Sequence, residues 1–454
     1  MIGVLIDKLF DRLKTHGSKV AIFEKGNTYT YSNLLAEAEK WTSKFEKILE
    51  NHQVIALQSD FSFEAIALLI ALYQQGKVVA LISPSAKNVP AYCEDAQAGY
   101  LFHYTDGRLG GSELIKRDKR VNKNTHPLLV GLATKKHAGF IIFSSGTTGR
   151  PKAILHDLEN FLTSYDNVKK AFCTLSFLLL DHIAGLDTLF YTLSSGGSLA
   201  LPAGRTPTAV CKLISDCKVE VLPVSPSFLN LLLLSGEYQN FDLSSLKIVS
   251  YGSEPINSSV LVKLPELFPN AKIIQKYGTS EFGSPRSKTK EGDSAWMKLD
   301  GEQFQTKIEK GILWVKAQST MLGYLNAEGM LEQDGWLCTG DLVEVDGPWM
   351  RIVGRQSDII NVGGEKVFPI EVESIINGIN EVMDCIVFGE QHAILGNQVC
   401  VKVRCDSNVE TKQLRKLIRK HCTHQLERFK VPSKFEFVSE ELTNQRQKKI
   451  RSIQ

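Results

Sequence analysis

No GxxxxGK[ST] nucleotide loop, no CxxC pair and no HExxH segment occurs in these 454 residues. Nine cysteines are scattered, with Cys211 and Cys217, then Cys400 and Cys405, as nearest neighbours. An odd count without metal spacing reads as free thiols in a reducing compartment, and the ten histidines suggest no structural metal site. A large excess of either charge is also missing. The formal net charge is +3, which gives no electrostatic reason to expect nucleic acid as a partner. No long apolar run is present: the most apolar stretch, around Ala65–Leu72, is broken by polar residues too soon to span a bilayer. The N-terminal MIGVLIDKLFDRLK is a short amphipathic segment with acidic residues in it, unlike a signal peptide. The expectation is a cytoplasmic protein of ordinary soluble composition, long enough for two or three domains.

What is there centres on IIFSSGTTGRPK, residues 141–152. Ile141, Ile142 and Phe143 read as the end of a buried strand. Ser144 to Lys152 then hold four hydroxyls, two glycines and one lysine. Glycine lets backbone amides approach an anion, hydroxyls add short donors, and Lys152 supplies a point charge. Such a loop suits a polyphosphate; taken alone, a polar turn without a ligand fits equally well.

The rest of the chain places this loop in an α/β context. Residues 4–14 read as a helix, and Val20–Phe23 with Thr28–Tyr31 as a hairpin around Gly26-Asn27. A helix capped by Ser32 follows. Val54–Leu57, 62–75 and Val78–Ile82 form β-α-β, the sign of a parallel sheet. Residues 104–137 read as polar, irregular surface. A helix over Leu158–Ala171, a buried strand Ser176–Leu180, a helix 186–194 and a strand Ser198–Leu201 come next. Strands at Val219–Val224, Lys247–Tyr251 and Ala271–Gln275 end in polar tips, where open α/β sheets place ligands. From about 292 short antiparallel strands replace helices, and after Arg355 a compact α+β unit begins.

In that order, the sequence resembles the adenylate-forming superfamily of acyl- and aryl-CoA synthetases, luciferases and peptide-synthetase adenylation domains. SSGTTGRPK is similar to its phosphate loop, YGTSE (277–281) to YGxTE, GWLCTGDLVEVD (335–346) to GW-x-x-TGD, and GRQSDIINVGGEKVFPIEVE (354–373) to the segment entering its C-terminal domain. The resemblance implies an α/β fold: a large N-terminal domain, 1–354, of stacked parallel-type sheets with helices plus a β-subdomain at about 292–354. A small mobile α+β C-terminal domain, 355–454, would act as a lid carrying the catalytic lysine.

The resemblance also implies roles. Ser144, Ser145, Gly146, Thr147, Thr148, Gly149 and Lys152 would form the phosphate loop, with Ser145, Thr147, Thr148 and Lys152 on the β- and γ-phosphates of ATP. Glu281 would ligate Mg²⁺, and Ser280, where the family usually has Thr, would bond the α-phosphate. Tyr277, followed by Gly278, would stack on adenine; a core aromatic is the competing reading. Asp341 would accept both ribose hydroxyls, unless it is a turn residue, and Arg355 would contact the ribose too. The family's terminal PRTxxGKIxR corresponds to TNQRQKKIRS, 443–452. Lys449 is then the catalytic lysine, with Lys448 in place of the usual glycine and close behind as a candidate; a solvated basic tail competes with both. Ser357 stands where the family pivots, a position that needs adaptability more than a given residue. Gly363 and Gly364 would line the tunnel for the pantetheine arm of coenzyme A.

For the acid, His182 matches a ring position near the carboxylate entry, or is a satisfied buried histidine. Ile183 falls where amino-acid adenylation domains carry an aspartate, so free α-amino acids are disfavoured unless Asp181 reaches in by a shifted register. Gly252 and Ser253 would floor the acyl pocket. Three readings stay open: a stand-alone acid–CoA ligase, expected because no carrier-type segment is seen up to residue 454; an enzyme loading the phosphopantetheine of a separate acyl carrier protein, which the basic helix around Lys412–Lys420 could meet; and a nucleotide-binding protein with impaired catalysis, suggested by the altered lysine tail.

Overall fold

Parallel strands buried on both faces need nearly continuous apolar sequence, and Val54–Gln58 and Val78–Ile82 have it. A computed structural model, which describes residues 3–50, 53–105, 108–114, 125–144, 150–168, 170–254, 256, 258–290, 293–300, 303–328 and 334–442, pairs these two strands in parallel. The helix between them, Phe63–Gln74, is apolar almost all round and buried along its length, as a helix enclosed by other elements must be.

These elements belong to a seven-stranded sheet in the order Gly323–Tyr324, Lys152–Asp157, Gly139–Ser144, Val78–Ile82, Val54–Gln58, Tyr100–Thr105, Arg108–Leu114. A second seven-stranded sheet runs Lys272–Gln275, Ile248–Tyr251, Val221–Val224, Cys173–Leu175, Ser198–Leu201, Val20–Glu24, Asn27–Thr30. It is parallel except for its terminal hairpin. One apolar core joins the two sheets through residues such as Ile22, Tyr31, Leu57, Phe161 and Leu189. A six-stranded antiparallel sheet spans Arg286–Lys290 to Trp349–Arg355. Beyond it, Ile360–Val362, Glu365–Val367, Asp384–His392, Gly396–Arg404 and Lys434–Val438 make a fourth sheet. With the helices Pro369–Ile376 and Thr411–Gln425 it encloses a core of its own, including Val367, Val372, Val401 and Ile418. Among the described residues no helix is long and apolar enough to cross a membrane.

Several expectations are corrected. The helix Tyr31–Leu49 is capped by Thr30, not Ser32: the Thr30 side chain accepts from the Asn33 N–H while Asn33 Oδ1 accepts from the Thr30 N–H. The segment 104–137 holds a strand, Arg108–Leu114, and a helix, Pro127–Lys135. Gly110 and Gly111 hid the strand, and the His103 ring packs over Gly111, where a Cβ would meet its Nε2 at 2.2 Å. The strand expected at Ser176–Leu180 is Cys173–Leu175. Phe177 and Leu180 are buried without being in a strand, and an apolar run alone does not distinguish the two cases. The helix expected over Leu158–Ala171 is only Leu158–Leu162 with a 3-10 turn, Thr163–Tyr165. The helix Pro207–Cys217 was not anticipated.

One difference bears on chemistry. Lys152–Asp157 is a strand antiparallel to Gly139–Ser144, with Ser144 opposite Lys152. The candidate phosphate loop therefore closes a hairpin and does not lead into a helix, so no helix dipole lies behind it.

Because Thr30 and Asn33 satisfy each other's backbone donors, Thr30→Ala is expected to lower stability by about 1 kcal/mol in urea unfolding. An unchanged midpoint would show that the box contributes nothing.

Candidate active site

The site forms at the carboxyl ends of the parallel strands. After Ile248–Tyr251, Gly252 lies so close to the next strand's exit that a Cβ would meet the Lys276 carbonyl at 2.5 Å. Ser253 follows with φ 71, a left-handed backbone rare outside glycine. After Lys272–Gln275, the Lys276 N–H donates to the Tyr251 carbonyl at 2.7 Å, tying the two tips together. Gly278 is forced as well, since a Cβ would sit 2.3 Å from the Gly283 carbonyl. Reciprocal bonds between Thr279 and Gly283, 3.1 and 3.0 Å, close a tight loop that presents Ser280 and Glu281.

Tyr277, from the tip of a parallel strand, meets Asp341 and Arg355 on neighbouring strands of the antiparallel sheet. The Tyr277 hydroxyl donates to Asp341 Oδ2 at 2.7 Å, and Arg355 Nε donates to Oδ1 at 2.8 Å. Asp341 and Arg355 face each other across antiparallel strands. Asp341 is 4% exposed and Tyr277 8%, so the carboxylate is buried but has donors on both oxygens. Burial, then the adjacent Asp341 charge, pushes the Tyr277 phenol well above the ordinary tyrosine range, so it remains a donor. Burial opposes the Arg355 charge, but Asp341 more than offsets this and leaves its pKa raised.

A second group surrounds Glu281. The Tyr324 hydroxyl donates to Glu281 Oε1 at 3.1 Å, and Lys152 Nζ lies 4.8 Å from the centre of the Tyr324 ring, a cation–π contact. Asn326 accepts from the Ala153 N–H and donates to the Pro151 carbonyl, both at 2.8 Å, clamping the flank of the phosphate loop. His156 Nε2 donates to the Ser280 carbonyl at 2.8 Å while its ring stacks on Phe140 at 4.7 Å. Sequence reading missed Tyr324, Asn326 and His156. Only His156 had a usable signal: in a strand it shares a face with Lys152, four residues earlier.

His182 caps the helix Ile183–Ser195 by accepting from the Ala184 N–H at 3.2 Å, and Ile183 is buried. Gly363 and Gly364, with φ 59 and 96, make the two-residue turn between Ile360–Val362 and Glu365–Val367. Positive φ at both positions is what such a hairpin demands, which accounts for both glycines without a ligand. Ser357 lies in the 3-10 turn Gln356–Asp358, its hydroxyl donating to Asp358 at 2.9 Å. Ser144 ends its strand. Ser145, Gly146, Thr147, Thr148, Gly149, Lys448 and Lys449 lie outside the described residues.

Known proteins resemble this chain. Residues 9–325 match the family model described as AMP-binding enzyme, and 371–449 that of the AMP-binding enzyme C-terminal domain. Acyl-CoA synthetase 7 of Caenorhabditis elegans is 30% identical over 365 residues, 72% of this chain and 67% of the relative. The 2-succinylbenzoate–CoA ligase of Enterococcus faecalis is 24% identical over 449 residues, 92% of this chain and 91% of the relative. Among solved structures, the anthranilate CoA ligase AuaEII in complex with anthranoyl-AMP has a TM-score of 0.81 at 22% identity, covering 98% of this chain and 95% of that one. That likeness is one of fold.

Burial holds the His156 imidazole down at about 4 from an ordinary 6.5, against its bond to the Ser280 carbonyl. The unfolded chain therefore takes the proton first. The stability this histidine contributes is whole above its unfolded pKa and drains away as pH falls toward 4. Urea unfolding at pH 7 and pH 5 is expected to show a loss in wild type that His156→Gln largely removes. The whole effect is on the order of 3 kcal/mol. Equal losses in both proteins would overturn the assignment.

Proposed function

The chain belongs to the AMP-binding enzyme family of adenylate-forming enzymes, and from that footing we propose that it is an acid–thiol ligase: it activates a small carboxylic acid with ATP, releasing pyrophosphate, and passes the acyl group to coenzyme A. The observation that carries this reading is the buried Asp341 carboxylate, bracketed by Tyr277 and Arg355 at the tips of the parallel strands. A carboxylate held on both oxygens yet keeping lone pairs can accept the two hydroxyls of a ribose.

In the first half-reaction a carboxylate oxygen of the acid bonds to the α-phosphorus, the bond from that phosphorus to the bridging oxygen breaks, and pyrophosphate leaves. The product is an acyl-adenylate, whose leaving group is AMP instead of oxide. Two anions must meet, so the protein's part is positioning and charge. Ser145, Thr147, Thr148 and Lys152 hold the β- and γ-phosphates, Ser280 the α-phosphate, and Tyr277 the adenine. Lys449 bridges the acid and the α-phosphate.

Glu281 suits Mg²⁺: a hard oxygen donor whose other oxygen is pinned by Tyr324. No group of three or more His, Cys, Asp or Glu that could hold a metal ion occurs among the described residues. When bound, Mg²⁺ neutralises charge on the departing pyrophosphate.

In the second half-reaction a thiol attacks the acyl carbonyl and AMP leaves. Residues 355–454 act as the lid, turning about Ser357, and Gly363-Gly364 pass beside the pantetheine arm. His182, Ile183, Gly252 and Ser253 bound the acyl site, where buried Ile183 offers no partner for an α-ammonium. One observation favours a second acceptor, the phosphopantetheine of an acidic carrier protein. Lys412, Lys416 and Lys420 form an exposed stripe at four-residue spacing on Thr411–Gln425, while Arg415 and Arg419 fold back over Phe435.

Acid-dependent pyrophosphate release, assayed over fatty, aryl and dicarboxylic acids, is expected with one class and at least about a hundredfold slower in Lys449→Ala. Full activity in that variant would move the role to Lys448. Silence with every acid, despite ATP binding, would point to a nucleotide-binding protein without catalysis. In a magnesium titration of the same reaction, Tyr324→Phe should need about tenfold more metal. An unshifted half-saturation point would show that Tyr324 does not orient a metal ligand.

A further inference from the structure

The helix capped by His182 carries more than the cap. Ile183, Asp187 and Tyr191 recur at four-residue spacing and share one face of Ile183–Ser195. The hydroxyl of buried Tyr165 donates to Asp187 Oδ1 at 2.7 Å and fixes that carboxylate. Lys276 Nζ stands 4.0 Å from Asp187 Oδ2, outside hydrogen-bond reach. Lys276 lies directly before Tyr277 and against Gly252, so its side chain crosses from the strand tips to the helix that begins at Ile183. Among the described residues neither Lys276 Nζ nor Asp187 Oδ2 makes a hydrogen bond. Their side chains keep 36% and 20% exposure, so both are reachable.

A lysine and an aspartate this far apart stabilise little as an ion pair. Their chemistry suits a bridging group. A plain alkyl or aryl tail entering here would strip water from two charges and return no hydrogen bond. A second carboxylate would gain from Lys276 and be repelled by Asp187. A hydroxyl accepts from the ammonium and donates to Oδ2, satisfying both while adding no charge.

We infer that the acyl site selects a carboxylic acid carrying a hydroxyl at its distal end, read jointly by Lys276 and Asp187, with Tyr165 positioning the aspartate. This rests on the ligase reading above.

The test is acid-dependent pyrophosphate release by the full chain with matched acids, one aryl pair and one alkyl pair, each differing only in a distal hydroxyl. Wild type is expected to favour the hydroxy acid of at least one pair by about tenfold or more in kcat/KM. Lys276→Met should bring that ratio toward one. So should Asp187→Leu combined with Tyr165→Phe, a double change that leaves no buried hydroxyl without a partner. Thermal melts establish that both variants fold. The ratio is a readout that a merely structural role would not move. Equal use of hydroxy and deoxy acids by wild type, a dicarboxylic acid preferred to both, or a ratio that survives in both variants overturns the inference and leaves the ligase reading standing. Release with no acid at all overturns the ligase reading, and this inference with it.

Discussion

Two sheets converge on one carboxylate. Asp341 rides on the antiparallel sheet, Tyr277 on the tip of a parallel strand, and Arg355 is the last residue before the turn that leads to the fourth sheet. A carboxylate buried this deeply is costly unless donors replace its water, and here those donors arrive from separate elements. The position of the antiparallel sheet over the strand tips is thus linked to the electrostatics of the site. On the proposed reading, a ribose hydrogen-bonded to Asp341 would add donors to the same carboxylate that holds Arg355. Nucleotide binding and the start of the lid would then share a single group.

The proposed phosphate end is organised differently. A loop leading into a helix borrows positive potential from the helix N-terminus, whereas this loop is held between antiparallel strands with Ser144 opposite Lys152. Its potential has to come from its own amides, hydroxyls and lysine. Asn326 and the ion pair of Arg150 with Asp95 fix the flank of the loop, and Lys152 rests on the ring of Tyr324, whose hydroxyl holds Glu281. One tyrosine therefore connects the lysine proposed for the phosphates with the carboxylate proposed for the metal. A neutral His156 adds an N–H to the Ser280 carbonyl without adding charge beside it.

The order of strands, polar tips and charged motifs could be read in the sequence: burial on both faces forces apolar runs, Lys152 closes a run of glycines and hydroxyls suited to an anion, and Asp341 and Glu281 stood out through the resemblance of their motifs to a known family. The supporting residues could not. His156 and Asn326 act on backbone groups 124 and 175 residues away, and Tyr324 looks like any core aromatic until the carboxylate beside it is seen. The paired glycines 363 and 364 carry two readings at once. A tunnel lining and a hairpin turn ask for the same residue, and the φ angles show that the turn by itself requires it. Where local sequence misled, as at Ser32 or 176–180, the cause was a competing local pattern: a neighbouring threonine that caps better through its partner Asn33, and an apolar run that two cores bury as a loop.

Two cations proposed to face the nucleotide are already committed. Arg355 is paired with Asp341, and Lys152 lies over an aromatic ring. Both suit the ground state, in which a nucleotide is bound and held. The reaction proposed here needs charge where it develops, between an approaching carboxylate and the α-phosphate, and only for one of two steps. A cation fixed in that gap would bind substrate and transition state alike and would then stand in the path of the thiol. On the proposed reading, a cation near the end of a separately cored segment would resolve both problems, because the segment could deliver the charge for the first step and withdraw it for the second. On that reading, the division of the chain into a large binding body and a small terminal unit would follow from the chemistry of two different successive attacks, the acid's carboxylate on the α-phosphorus and then the thiol on the acyl carbonyl.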